Sequence, residues 1–172
     1  MSMKYTLLSM CLLLIAIPHP STLLRAQGAN SGRAVPMTRL RSCLPLPCPF
    51  ASNSGLDDPL RVVIRDRETW GEMWKQIHPR GPSPVSELPE IDFSQEMVIV
   101  VALGSRPTGG YAIFIDGVNE QDGRLEIKVS SQSAGKSCMV TQSVTQPVDI
   151  VRIPKSEAPT VFIENDVVHE CK

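Results

Sequence analysis

The sequence predicts a mainly β domain of the α+β class. It reads as an antiparallel sheet or small β-sandwich with one amphipathic helix packed against it. Three observations carry this. Six or seven short segments rich in Val and Ile lie between residues 60 and 168, separated by Gly, Pro, Asn and Ser. One segment alone carries a helical apolar stripe. And strands do not alternate with helices, as a parallel α/β sheet requires.

The elements follow in order. Leu60 to Arg65 holds Val62, Val63 and Ile64 and reads as a strand. Asp66 is an N-cap for a helix over about residues 67–78. Trp70, Met73, Trp74 and Ile77 fall at i, i+3, i+4 and i+7, one apolar stripe that marks a core contact rather than a ligand platform. Glu68 and Glu72 near the start and Lys75 near the end agree with the helix dipole. Pro79 and Gly81-Pro82 stop the helix, and a Pro-rich loop runs to residue 90. Met97 to Leu103 is an unbroken apolar run, the pattern of a strand buried on both faces. A strand at about 110–118 follows, and Asn119 to Gly123 supplies hairpin turn chemistry. Arg124 to Ser130 alternates, with Leu125, Ile127 and Val129 inward. Ser131 to Ser137 reads as a small-residue loop and Cys138 to Thr145 as a further strand. Val148 to Ile153 and Val161 to Ile163 close the series, the last extended by Val167-Val168.

Residues 1–26 read as a secretory signal: Lys4 opens it, Leu7 to Ile17 is its apolar core, and Leu24-Arg25-Ala26 offers a small residue at the cut. The apolar run is short for a transmembrane span, and no membrane span is expected after cleavage. Cys11 lies inside that core without the surroundings of a lipid-modified cysteine. Residues 27–59, rich in Gly, Ser, Asn and Pro, read as a flexible arm, and residues 60–172 as the folded domain. The expected location is exported: periplasmic, cell-surface or secreted. Removing Lys4 and Arg25 lowers the basic count from 17 to 15 against 18 acidic residues, a net charge near −3. This excludes a nucleic-acid footprint and argues against an anionic membrane surface.

Four cysteines remain after such cleavage: Cys43, Cys48, Cys138 and Cys171. An even number in an exported chain favours disulfides, and three pairings are open. Cys43–Cys48 around the Pro-stiffened Leu44-Pro45-Leu46-Pro47 is favoured, with Cys138–Cys171 tying the last strand to the middle of the domain. The second bridge closes a loop of about 33 residues, worth roughly 3–4 kcal/mol in the chain-entropy picture. A zinc site using His169 matches no finger spacing.

The segment with most functional content is Arg106-Pro107-Thr108-Gly109-Gly110-Tyr111, directly after the apolar run. Pro fixes one dihedral, and paired glycines allow tight bending or close approach. Shaped loops on rigid sheets commonly carry binding function. As a binding tip, its glycines would admit a partner's backbone, Tyr111 would be an anchoring ring and Arg106 a charge at the rim. As plain architecture, the same residues turn a corner and Tyr111 packs inward.

From about residue 60 to 164 the chain resembles the C-terminal domain of the PrcB family. The matching residues are Ile91-Asp92-Phe93, Met97 through Gly104, Arg106 through Ile113, Cys138 through Gln142, Thr145-Gln146-Pro147 and Ile153-Pro154-Lys155. The family takes its name from a subunit of a bacterial surface protease complex. The resemblance implies a non-catalytic exported domain that associates with a protease and stabilises it. A thinner similarity links Pro107, Thr108, Gly110 and Tyr111 to one loop of chagasin-type cysteine protease inhibitors, with Ala134-Gly135-Lys136 standing for their Gly-rich loop and no counterpart for their Arg-Pro-Trp loop. Inhibition is therefore the alternative reading, and a structural envelope domain without a protease partner is a second alternative.

Nothing in the sequence asks for a cofactor or metal. Asp57-Asp58 lacks a calcium-loop pattern, and there is no phosphate-cradling Gly-x-x-x-x-Gly-Lys. Catalysis has one conceivable couple, Cys138 with His169, because His78 sits at a helix end and no Gly-x-Ser-x-Gly elbow occurs.

Overall fold

A computed structural model of the chain describes residues 32–41, 53–77 and 88–171. Among these are eight strands and one helix: β1 (Arg33–Val35), β2 (Thr38–Arg41), β3 (Leu60–Ile64), α1 (Arg67–Gln76), β4 (Glu96–Ala102), β5 (Ala112–Gln121), β6 (Arg124–Ala134), β7 (Val148–Pro154) and β8 (Thr160–His169). They form two four-stranded sheets, in the orders β1-β5-β6-β8 and β2-β7-β4-β3.

Alternation of side chains explains how the sheets meet. Met97, Ile99 and Val101 on β4 and Val151 and Ile153 on β7 share one buried cluster with Ile113, Ile115 and Val118 on β5 and Leu125, Ile127 and Val129 on β6. The opposite faces of β4 and β7, with Val98, Val100, Ala102, Val148 and Ile150, bury against Ile64, Trp70, Trp74 and Ile77. So the doubly apolar run of β4 has a physical reason: one face meets the other sheet and the other meets the helix. The helix begins where Asp66 accepts hydrogen bonds from Thr69 N at 2.8 Å and Thr69 Oγ1 at 2.9 Å. Trp70 and Trp74 pack 5.3 Å apart, and Trp70 Nε1 donates to Pro89 O.

Several expectations are corrected. Strands β1 and β2 lie inside the stretch read as an arm without structure. They pair antiparallel with β5 and β7, on different sheets, so the segment crosses from one layer to the other at Pro36-Met37. Their sequences, Arg-Ala-Val and Thr-Arg-Leu-Arg, show too little apolar alternation to announce strands. They are held by edge pairing and by Arg39, which grips the fully buried Asp149 through Nε at 3.0 Å and Nη2 at 2.9 Å. The small-residue loop expected at 131–137 is strand as far as Ala134, because main-chain pairing with β8 continues to Ala134 opposite His169. That β6–β8 pairing is parallel, the exception in otherwise antiparallel sheets; β7, intervening in sequence, lies in the other layer. The strand expected at Cys138–Thr145 is irregular, with isolated bridges only at Thr145 and Gln146 among its described residues and the one that follows. The hairpin turn sits at Asp122-Gly123, both with positive φ (51° and 73°), as a tight turn matching strand twist requires. The signal segment, the whole Cys43–Cys48 loop, and His78 with the helix stop at Pro79 and Gly81-Pro82 lie outside the described residues.

Candidate functional site

The loop from Gly104 to Tyr111 leaves β4 and enters β5, and its geometry is set by segments distant in sequence. At its base a polar network joins residues 54–57, Ser105 and the buried Gln146. Gln146 Oε1 accepts from Gly55 N at 3.1 Å, and its Nε2 donates to Asp57 Oδ1 and to Ser105 Oγ at 3.2 Å. Ser105 N and Oγ both donate to Asp57, at 2.8 and 2.7 Å. A buried glutamine with both ends of its amide engaged fixes a backbone more firmly than an apolar residue of its size. Gly104 (φ +76°) passes so near this segment that a Cβ would stand 2.6 Å from Asp57 O.

Beyond its base the loop pairs with residues 141–145. Arg106 N donates to Thr145 O at 2.8 Å and Thr145 N to Arg106 O at 2.9 Å. Thr145 Oγ1 donates to Thr108 O at 2.8 Å, and Gly109 N to Thr141 O at 2.9 Å. The glycines serve this pairing. A Cβ on Gly109 would strike the Thr141 hydroxyl, and one on Gly110 (φ +83°) would stand 2.7 Å from Ala134 Cβ and 2.8 Å from Val140 Cγ1. The chain's own 134–141 segment thus occupies the space beside both glycines. Tyr111 is half-buried against the inter-sheet core, with the Arg106 guanidinium 5.8 Å from its ring centre. Arg106 Nε is buried with no hydrogen-bond partner among the described residues, which leaves the ring as a principal neighbour of this cation.

The exposed surface comes from both segments together. Pro107 and Gly110 face solvent on one side, and Thr141 to Val144 on the other. Met139 is wholly exposed and Val144 53% exposed, so two apolar side chains stand out from the surface. A second set of ties holds the outer segment. Cys138 is disulfide-bonded to Cys171, with their Cα atoms 5.0 Å apart. Gly135 N donates to His169 O at 2.8 Å, and Ser137 Oγ to Cys171 O at 3.0 Å. The outer segment is thereby clamped to the end of β8 on one flank and to the 104–111 loop on the other.

The six residues Arg106 to Tyr111 are thus contiguous, but they do not form a free-standing tip. Sequence reasoning missed Thr141, Thr145 and Gln146 as the residues that hold the loop. Their signal was a run of hydroxyl and amide side chains just before an apolar strand, as polar partners of a bent backbone often are. It also missed Asp149. That carboxylate accepts from Ile115 N at 2.8 Å and Ile150 N at 3.0 Å besides Arg39, and so links the two sheets at the bulge in β5. Burial pushes the Asp149 carboxyl above the ordinary carboxylate range, opposed by Arg39 and by the Ile115 and Ile150 amides. The disulfide consumes the thiol that a Cys138–His169 couple needs. Among the described residues no three His, Cys, Asp or Glu side chains are arranged to hold a metal ion, and no helix is long and apolar enough to cross a membrane.

Residues 97–154 match a family model described as PrcB C-terminal. This match supports a PrcB C-terminal domain in this part of the chain. The PrcB match begins in β4, takes in the glycine loop, β5, β6 and the clamped 135–147 segment, and ends with β7. The paired loops thus lie wholly within the PrcB segment, whereas β1, β2, β3, α1 and β8 lie outside it. No curated protein and no solved structure matches the chain.

Proposed function

We propose that the protein is a non-enzymatic exported binding domain that associates with a protease and stabilises it. The paired loops 105–111 and 136–145 are its contact surface. The observation that carries this reading is the exposure of Met139 and Val144 on a segment held by a disulfide and by five hydrogen bonds to neighbouring elements, with exposed Pro107 on the loop paired to it. Rigid apolar projections give affinity because little conformational entropy remains to be lost on binding. The PrcB family supplies the class of partner, since it suggests a protease-associated subunit. The disulfide fits an oxidising compartment outside the cytosol.

The test is affinity capture of the full chain from its own cell envelope, run beside Met139→Asp. The reading expects an exported protease in the wild-type eluate, depleted at least about tenfold for the variant. A protease absent from both eluates contradicts it. Loss of papain-like peptidase activity at stoichiometric protein would instead support the inhibitor alternative.

A further inference from the structure

The end of the first sheet offers a second feature. Among the described residues, strand β8 is the terminal strand of the order β1-β5-β6-β8, and it runs ten residues, about 33 Å. Natural edge strands are usually short, bulged, or broken by Pro or Lys. This one pairs with β6 over ten successive positions without a register shift, and Thr160 to His169 contains no Pro, Lys or Arg. Its two faces are set by alternation. Phe162 turns toward the inter-sheet core, and Glu164 on the same face pairs with Arg61 of β3 at 2.7 Å. Asp166, also on that face, accepts from Ser131. The outer face carries Val161, Ile163 and Val167, each 41–42% exposed, and Val168 near the strand's end is 59% exposed.

We propose that β8 accepts an added strand from the partner, an extended segment in which apolar residues alternate with Lys or Arg. This rests on the protein-binding reading above and gives that partner its chemistry. Directly opposed residues in an antiparallel pair share a face, so an incoming apolar residue opposite Ile163 or Val167 extends the outer stripe. The alternate residues then face Glu164 and Asp166, where a cation is favoured. The same geometry argues against a second copy of this chain. Of the registers that keep like faces together, the two with the longest overlap oppose Glu164 to Glu164, or Glu164 to Asp166. Main-chain pairing along β8 would also bring the added strand to the Cys138–Cys171 clamp, beside the segment bearing Met139.

The probe is the capped peptide acetyl-Lys-Val-Lys-Val-Lys-Val-Lys-amide, with its Glu-for-Lys analogue as control, added to the full chain. The proposal expects saturable binding of the Lys peptide and slowed amide exchange in β8. It expects at least about tenfold weaker binding in Ile163→Arg, and in Val167→Lys should the first variant not fold. Equal binding of both peptides, unchanged exchange in β8, or unchanged affinity in a folded edge variant overturns it. So does a concentration-dependent dimer that protects β8 without peptide. Envelope capture separates the two levels. A protease held equally by wild type and a folded edge variant overturns the strand addition alone, whereas peptide binding with no protease captured overturns the protease reading alone.

Discussion

Gly110 is the residue on which the paired loops turn most sharply. Its φ of +83° disfavours any side chain, and its open side meets Ala134 and Val140. We expect Gly110→Ala to destabilise the protein by about 2 kcal/mol, read from urea unfolding. Unchanged stability would show that the loop relaxes without cost. Asp149 is the second decisive residue. It is fully buried, and Arg39, β5 and β7 all meet at its carboxylate. Removing one partner of a buried ion pair strands the other, so Asp149→Ala should cost about 3 kcal/mol or more. The double replacement Arg39→Met with Asp149→Leu should recover most of that loss, because no buried charge then remains. A double-mutant cycle in urea measures both. Asp149 was legible in the sequence only as a charge in the apolar run Val148-Asp149-Ile150-Val151, and nothing local pointed to Arg39, 110 residues earlier.

At the scale of elements, legibility followed the strength of local pattern. Helix α1 and strands β3, β4, β5, β6 and β7 were readable because a stripe, an alternating run or an unbroken apolar run coincided with the burial that the tertiary structure provides. Strands β1 and β2 were not, since pairing to an edge and one ion pair make them, with no core pattern of their own. The 138–145 segment alternates like a strand, yet its partners are a bent loop and a disulfide. Its main chain therefore stays irregular, and no sequence period reports that. The helix cap carries a pH prediction. Asp66 lies below the ordinary carboxylate range, chiefly through the Thr69 amide and then its hydroxyl. A lowered folded pKa contributes stability above the unfolded value and loses it as pH falls through the folded one. Asp66→Asn keeps an acceptor but does not titrate. The stability difference between wild type and Asp66→Asn should therefore shrink as pH drops below the ordinary carboxylate range. A difference that is flat with pH would contradict the cap. Asp149 works in the other sense: its raised value contributes stability at low pH that is lost as pH rises through it.

At the scale of the whole molecule, two sheets and a helix bury nearly all the aliphatic alternation. The apolar side chains left outside concentrate on the 138–145 segment and along β8. The two regions meet at the Cys138–Cys171 clamp. Such a distribution suits a domain that is gripped by a partner along one flank, with the 104–111 loop as its brace rather than its finger. The glycine-rich motif was legible as a shaped loop, but which side of it faces outward depended on contacts with residues 134–145 that no local pattern encodes. The most direct measurement is photo-crosslinking from position 139. The full chain carries a diazirine amino acid in place of Met139 and is expressed in its own envelope, and adducts are identified by mass spectrometry. The account predicts a covalent adduct with an exported protease, absent when the probe sits at exposed Asp122 on the distant hairpin turn. Crosslinks to many unrelated proteins alike, or equal yields from both positions, would contradict it.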